Sequence, residues 1–288
     1  MRPAWLDPVE PDVLAATGAT TVDELTGETL RQWGSSEVWR LTSANGRSVI
    51  VKRGTDSQTA EANAYEQLVI PLGLPAPTLF RLHRDADAII LVLADAGAAT
   101  LEQRPSREGY LAAAELLVTI GSVAASQARS QRLDGLIGQI PDGELRAKTL
   151  ALAVPALREL GQTSPHRVVH GDFVPKNLVS DGVTWTAIDW PAAYVAPHLA
   201  DLYTLTREAR KDGVDPAEVV AHYNVVSGND PELTQKQLAV GGISFTLQAL
   251  TWIVTEGRRT VPESLTWIDG LLADLRELTT TLENGVIQ

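Results

Sequence analysis

The chain contains no cysteine. Disulfides are excluded, and so are zinc sites built on thiolates. Basic charge is also scarce: 24 Lys and Arg stand against 36 Asp and Glu, for a net charge of -12. A nucleic-acid partner needs clustered cations to meet its phosphates, so this balance argues against one. The acidity is compatible with a cationic small substrate, or with a role in solubility alone. No uninterrupted apolar run reaches the about 18–20 residues of a membrane span, so no membrane association is expected. The opening segment MRPAWLDPVEPDV carries acids and prolines where a secretory signal would be apolar, which predicts a cytoplasmic protein. Two nucleotide signatures are missing as well. There is no G-x-x-x-x-G-K-[ST] phosphate loop, and no G-x-G-x-x-G follows a strand.

What is present suits a globular chain. The 288 residues suffice for one large domain or two lobes, each with its own core. Residues 37–42 and 48–53 read as strands, joined by the hairpin signal Asn45-Gly46. Residues 57–70 read as the one helix of this region, with Ser57 as N-cap. The segment GLPAP at 73–77 ends it, and strands follow at 78–83 and 88–93. The near-continuous apolar AIILVL marks the second of these as buried on both faces. Small residues at 94–99 suggest a hinge. Beyond it, helical periodicity predicts helices over 108–130, 143–160, 199–211, 216–226, 231–256 and 262–283.

The informative stretch is VVHGDFVPKNLVSDGVTWTAIDW at 168–190. Asn177 lies five residues after Asp172, and a strand–turn–strand around Asp181-Gly182 leads on to Asp189. Phosphoryl transfer needs one carboxylate to orient the acceptor hydroxyl and take its proton, and oxygen ligands for the magnesium that bridges the phosphates. Asp172, Asn177 and Asp189 are the right types, because magnesium prefers carboxylate, amide carbonyl and water. The hairpin folds the chain back so that Asn177 and Asp189 can meet one metal.

His170, Asp172 and Asn177 match the H-x-D-x-x-x-x-N loop of kinases, and Asp189 matches the metal-binding Asp that follows it. The variant HGDFVPKN with IDW resembles the aminoglycoside phosphotransferase / choline kinase family. Protein kinases usually carry Arg at the place of Gly171 and Asp-Phe-Gly at that of Asp189-Trp190-Pro191. The resemblance implies an α+β, two-lobed protein-kinase-like fold. Residues 1–95 would form the nucleotide-binding lobe, an antiparallel sheet plus helix. Residues 96–288 would form the mostly helical catalytic and substrate-binding lobe, with the hinge near 93–99.

The same resemblance implies ATP and Mg2+ as cofactors, Asp172 as catalytic base, and Asn177 and Asp189 as metal ligands. His170 would support the loop. Lys52, at the end of VIVKR, would hold the α/β-phosphates. Its helix partner would be Glu61 or Glu66, and the family's spacing to Leu68 favours Glu61. Gly34-Ser35-Ser36 would cover the phosphates through backbone N–H groups; an ordinary hairpin turn is the competing reading. The adenine would rest against the backbone near Leu93-Ala94-Asp95. Asp201 would brace the catalytic loop. Lys176, four residues after Asp172, points at the transferring phosphate or is a solvated surface lysine.

Other signals carry less. HRVVH at 166–170 has the spacing of two zinc-binding histidines, but it lacks the Glu of H-E-x-x-H and its valines favour a strand. Trp252 and Trp267 read as core more than as a substrate platform. The expected partner is a small hydroxyl-bearing molecule. An aminoglycoside or related antibiotic is one acceptor, and choline, a sugar or an amino alcohol is the metabolic alternative. A nucleotide-binding pseudokinase is a third reading, against which the intact Lys52, Asp172, Asn177 and Asp189 speak. Monomer and dimer are both open.

Overall fold

The computed structural model describes residues 2–123 and 133–286. The first part is a five-stranded antiparallel sheet. It contains β1 (Leu25–Trp33), β2 (Ser36–Ser43), β3 (Ser48–Thr55), β4 (Leu79–Arg84) and β5 (Ala88–Ala94), in the order β1-β2-β3-β5-β4. At the β2–β3 turn Gly46 takes φ 83° and the Asn45 side-chain oxygen Oδ1 accepts the Arg47 N–H, the local chemistry that the Asn-Gly pair predicts. Side chains alternate across the sheet. One face buries Trp39, Leu41, Val49, Val51, Ile90 and Val92 against Leu6, Val9 and Val13, the last from α1 (Glu10–Thr17). The other face gives Ile89, Leu91 and Leu93 to a core shared with Ala62, Tyr65 and Leu68. β5 is covered on both sides, which is why it reads as an unbroken apolar run.

Three features differ from the sequence-based expectation. The region holds a second helix, α1, which the short segment between Pro8 and Pro11 disguises. It also has an additional strand, β1, an edge strand whose residues are mostly exposed and so lack the alternation that reveals a buried strand. Ser57 does not cap the next helix. α2 (Ala60–Ala64) starts after a tight turn, passes through a wide turn at 65–69 and ends as α3 (Ile70–Leu72), while the Ser57 hydroxyl donates to Glu256.

The chain leaves β5 through residues 95–98 and reaches β6 (Ala99–Thr100). Helices α4 (Arg107–Gly121), α5 (Leu133–Ile137) and α6 (Gly143–Thr163) follow. The end of the helix expected over 108–130 lies outside the described residues from 124 on. Next come β7 (Arg167–Val169), β8 (Leu178–Ser180), β9 (Trp185–Ala187) and β10 (Tyr194–Ala196). The chain ends in α7 (Ala200–Lys211), α8 (Pro216–Ser227), α9 (Pro231–Trp252), α10 (Arg258–Thr260) and α11 (Ile268–Val286). The result is α+β: an antiparallel sheet first, a mostly helical part after it. β7 pairs with β10, and β6-β8-β9 make a small sheet that carries the 168–190 stretch.

One correction concerns membrane spans. Residues 231–260 are long and apolar enough to cross a membrane by length and composition, an 18-residue window within them having a mean hydropathy of 1.5. In that window 61% is buried inside the protein, against α6 and α11, so packing accounts for its apolarity without lipid.

Candidate active site

β7 delivers the chain to His170, which is fully buried. Burial depresses its pKa to about 4, so the ring is neutral at pH 7. Its Nδ1 accepts the Asp172 N–H at 3.3 Å, and Nε2 therefore donates to the Ile188 carbonyl at 3.0 Å. The Asp201 carboxylate accepts the His170 N–H at 2.6 Å and the Gly171 N–H at 2.9 Å. Burial pushes the Asp201 pKa up to about 7, against those two donors. Phe173, fully buried, anchors the loop; such a side chain contributes about 1.5–3 kcal/mol.

Gly171 has φ 84°, and a Cβ there would collide with the Ala192 carbonyl oxygen. Gly171→Ala is expected to cost at least about 2 kcal/mol through left-handed strain and this clash. A lower urea midpoint in equilibrium unfolding would register it; an unchanged midpoint would contradict the collision.

The hairpin closes the site. Leu178 pairs with Ala187, and the Ile188 N–H donates to the Asn177 carbonyl at 2.9 Å. Ile188 is thus held by Asn177 on one side and His170 on the other, which fixes the residue after it. Asp189 adopts φ 69°, a left-handed conformation costing about 1 kcal/mol for a residue with a Cβ. Asn177 Nδ2 donates to Asp172 twice, to the backbone oxygen at 2.9 Å and to Oδ2 at 2.8 Å. Its amide oxygen receives no hydrogen bond among the described residues.

Lys52 crosses from the sheet to this loop. Its Nζ donates to Asp189 Oδ1 at 2.6 Å and pairs with Glu61 Oε2 at 2.6 Å. Glu61 Oε1 accepts the Trp190 N–H at 3.1 Å, so α2 is tied to the residue after Asp189. Burial opposes the Lys52 charge, but Asp189 and Glu61 outweigh it and raise its pKa above the ordinary lysine value. Burial also opposes the Asp189 charge, and Lys52 wins, holding its pKa at about 2. At Glu61 burial outweighs Lys52 and raises the carboxyl pKa above its ordinary value.

The remaining candidates are scattered around this centre. Glu66 pairs with Arg84 on the surface. Lys176 Nζ lies 3.3 Å from Asp172 Oδ2 and 5.8 Å from the Trp33 ring centre. Gly34-Ser35 makes the β1–β2 turn, with Gly34 at φ 57°. The hydroxyls of Ser35 and Ser57 both donate to Glu256, at 3.0 and 3.1 Å, so the turn is held by the helical lobe. Leu93 is buried in β5. The Asp95 carboxylate accepts from Arg40 at 2.6 Å and Ser48 at 2.7 Å, which leaves only backbone groups to face a ligand there. Glu256, Trp190, Arg31 and Trp33 were not singled out by the sequence as site residues. Glu256 meets Ser57 across 199 positions, a separation no local pattern records.

The free Asn177 amide oxygen and the second Asp189 oxygen are hard donors of the kind magnesium takes. Among the described residues no cluster of three or more His, Asp or Glu forms a metal cage. A magnesium held here would draw its other ligands from phosphate and water, as is usual for this ion.

The profile of the phosphotransferase enzyme family matches residues 28–232, more than two thirds of the chain. The chain belongs to that family. It is accordingly a small-molecule phosphotransferase. No curated protein sequence matches it. The phosphotransferase is similar in fold to a choline/ethanolamine kinase family protein from Mesorhizobium loti, with 17% identity over 97% of this chain and 98% of that one, at a TM-score of 0.66. It is similar too to a thermostable mutant of aminoglycoside phosphotransferase APH(4)-Ia in ternary complex with ADP and hygromycin B. There the identity is 16% over 96% of this chain and 97% of that one, at a TM-score of 0.59. These likenesses identify the fold of the phosphotransferase as protein-kinase-like.

Proposed function

We propose that the chain is an ATP- and magnesium-dependent O-phosphotransferase acting on a hydroxyl of a small molecule. The observation that carries this reading is the continuous run of contacts Asp172–Asn177–Ile188, with Asp189–Lys52–Glu61 beyond it, which joins the sheet to the helical lobe at one point. Nucleotide lies between residues 1–95 and 96–288, with its adenine on the backbone of Leu93–Asp95. Lys52 uses its third N–H on the α/β-phosphates, oriented by Glu61. Gly34, Ser35 and Ser36 offer backbone N–H groups above them. Asn177 and Asp189 hold magnesium, which supplies charge neutralisation for the phosphates. Asp172 orients the acceptor hydroxyl and takes its proton as the new O–P bond forms and ADP leaves. Lys176, beside Asp172, faces the transferring phosphate.

The finer acceptor class follows from charge and likeness. The net charge of -12 and the hygromycin B complex of the APH(4)-Ia enzyme favour an aminoglycoside or related antibiotic. Choline, sugars and amino alcohols form the metabolic alternative, supported by the choline/ethanolamine kinase likeness. A cytoplasmic location, where ATP is available, is part of the same proposal.

Mg·ATP at one hundred times its Kd is expected to stabilise the protein by about 2.7 kcal/mol, read as a rise in thermal midpoint. ADP release is expected with a member of one acceptor class and not with the others. No midpoint shift together with no ADP release across both classes would overturn the reading.

A further inference from the structure

Arg31 lies on β1, and nothing in the kinase motifs points to it. Regular pairing of β1 with β2 runs from Leu25 opposite Ser43 to Thr29 opposite Trp39. Trp39 packs under α1, so Thr29 shares that outer face. Plain alternation would next set Leu30 opposite Val38. The register shifts instead, and Arg31 takes that place. This is a β-bulge, a device that re-aims a side chain and recurs beside active sites. Val38 pairs with Lys52. The bulge therefore puts Arg31 in one row with Val38 and Lys52, on the face from which Lys52 reaches Asp189.

The surroundings of Arg31 are unusual for an arginine. It is half-buried and has no carboxylate partner among the described residues. Its guanidinium lies 4.9 Å from the centre of the Trp33 ring. Lys176 approaches the same ring from the catalytic loop, at 5.8 Å. Two cations, one from each lobe, are thus gathered at one indole. Like charges brought together in a cleft repel, and an anion between them relieves the repulsion. A guanidinium is a planar fork suited to two phosphate oxygens.

We propose that Arg31 binds the terminal phosphate of the nucleotide, opposite Lys176, with Trp33 holding both cations in place. The terminal phosphate is favoured over the others because Lys176 also touches Asp172, the proposed base. The inference rests on the reading that Mg·ATP occupies this cleft.

The test is calorimetric titration of the full chain with Mg·ATP and Mg·ADP, on wild type, Arg31→Gln, Arg31→Lys and the surface control Arg84→Gln. Arg31→Gln is expected to weaken Mg·ATP by about ten- to a hundredfold, the range for a hydrogen bond to a charged group, and to leave Mg·ADP nearly unchanged. Arg31→Lys is expected to recover part of the loss, since it keeps the charge without the fork. Arg84→Gln should match wild type. An equal loss for both nucleotides, or no loss, would overturn the inference while the kinase reading stands. A wild type that binds neither nucleotide would remove both.

Discussion

Asp172→Ala is expected to lower kcat by about 10²–10⁴-fold, the contribution of a positioned general base, while Mg·ATP binds as in the wild type. The separation follows from the hydrogen bonds. Asn177 Nδ2 is bonded to the Asp172 backbone oxygen as well as to its carboxylate, so truncating the side chain leaves one of the two contacts in place. The Asn177–Ile188 bond and the Lys52–Asp189 pair do not involve the Asp172 side chain at all. Nucleotide affinity should therefore survive while proton transfer is lost. Asp172→Asn keeps the shape without the basicity and should fall almost as far. Steady-state rates with an active acceptor, set beside titration with Mg·ATP, measure both quantities. A normal kcat in either variant would take Asp172 out of the chemistry.

Lys52→Met should be the most damaging change to stability. Lys52 is 5% exposed, Glu61 is 1% exposed, and the lysine is the cation both carboxylates share. Removing one partner of a buried ion pair typically costs about 3–5 kcal/mol, because a charge is left uncompensated. Here two carboxylates would be left facing each other. The pH dependence gives a second signature. In the wild type Asp189 has its pKa held at about 2, so its stabilising contribution is present above the unfolded carboxylate value and is lost as pH falls through 2. Without Lys52 the Asp189 pKa should rise above the unfolded value, and that of Glu61, already raised by burial, should rise further. The folded variant then binds more protons than the unfolded chain, and its stability should increase as pH falls from 7 toward 5. Urea midpoints of wild type and Lys52→Met across that range test the sign. Parallel curves would mean that the lysine is not what holds Asp189 charged.

Much of the site was legible because its signals are local. Asn45-Gly46 needs only its own turn chemistry. H-x-D-x-x-x-x-N, a strand, an Asp-Gly turn and a second strand lie within a stretch short enough that the backbone itself returns Asn177 to Ile188. The choice of Glu61 over Glu66 rested on spacing, and only Glu61 reaches Lys52. Other features had no local trace. β1 is an edge strand with few buried positions, and its bulge at Leu30 reverses the facing that alternation would assign to Arg31. Ser57 looked like a helix cap because the hydroxyl chemistry is the same. Its acceptor turned out to be a glutamate in the distant helical lobe.

What the amino-acid order determined by itself was the inventory of chemical groups and the short-range geometry that positions them. It set a His-Gly-Asp loop, a hairpin that folds back, and a lysine within a strand. Backbone torsions and hydrogen bonds between near neighbours settle such things. Only the tertiary structure decided which groups meet across the two lobes: Lys52 with Asp189, Glu256 with Ser35, Arg31 and Lys176 with Trp33. Those contacts depend on strand register, on one extra residue in an edge strand and on the packing of helices far along the chain. Side chains that touch through space are selected by burial and charge, and neither is written in the spacing of residues along the sequence.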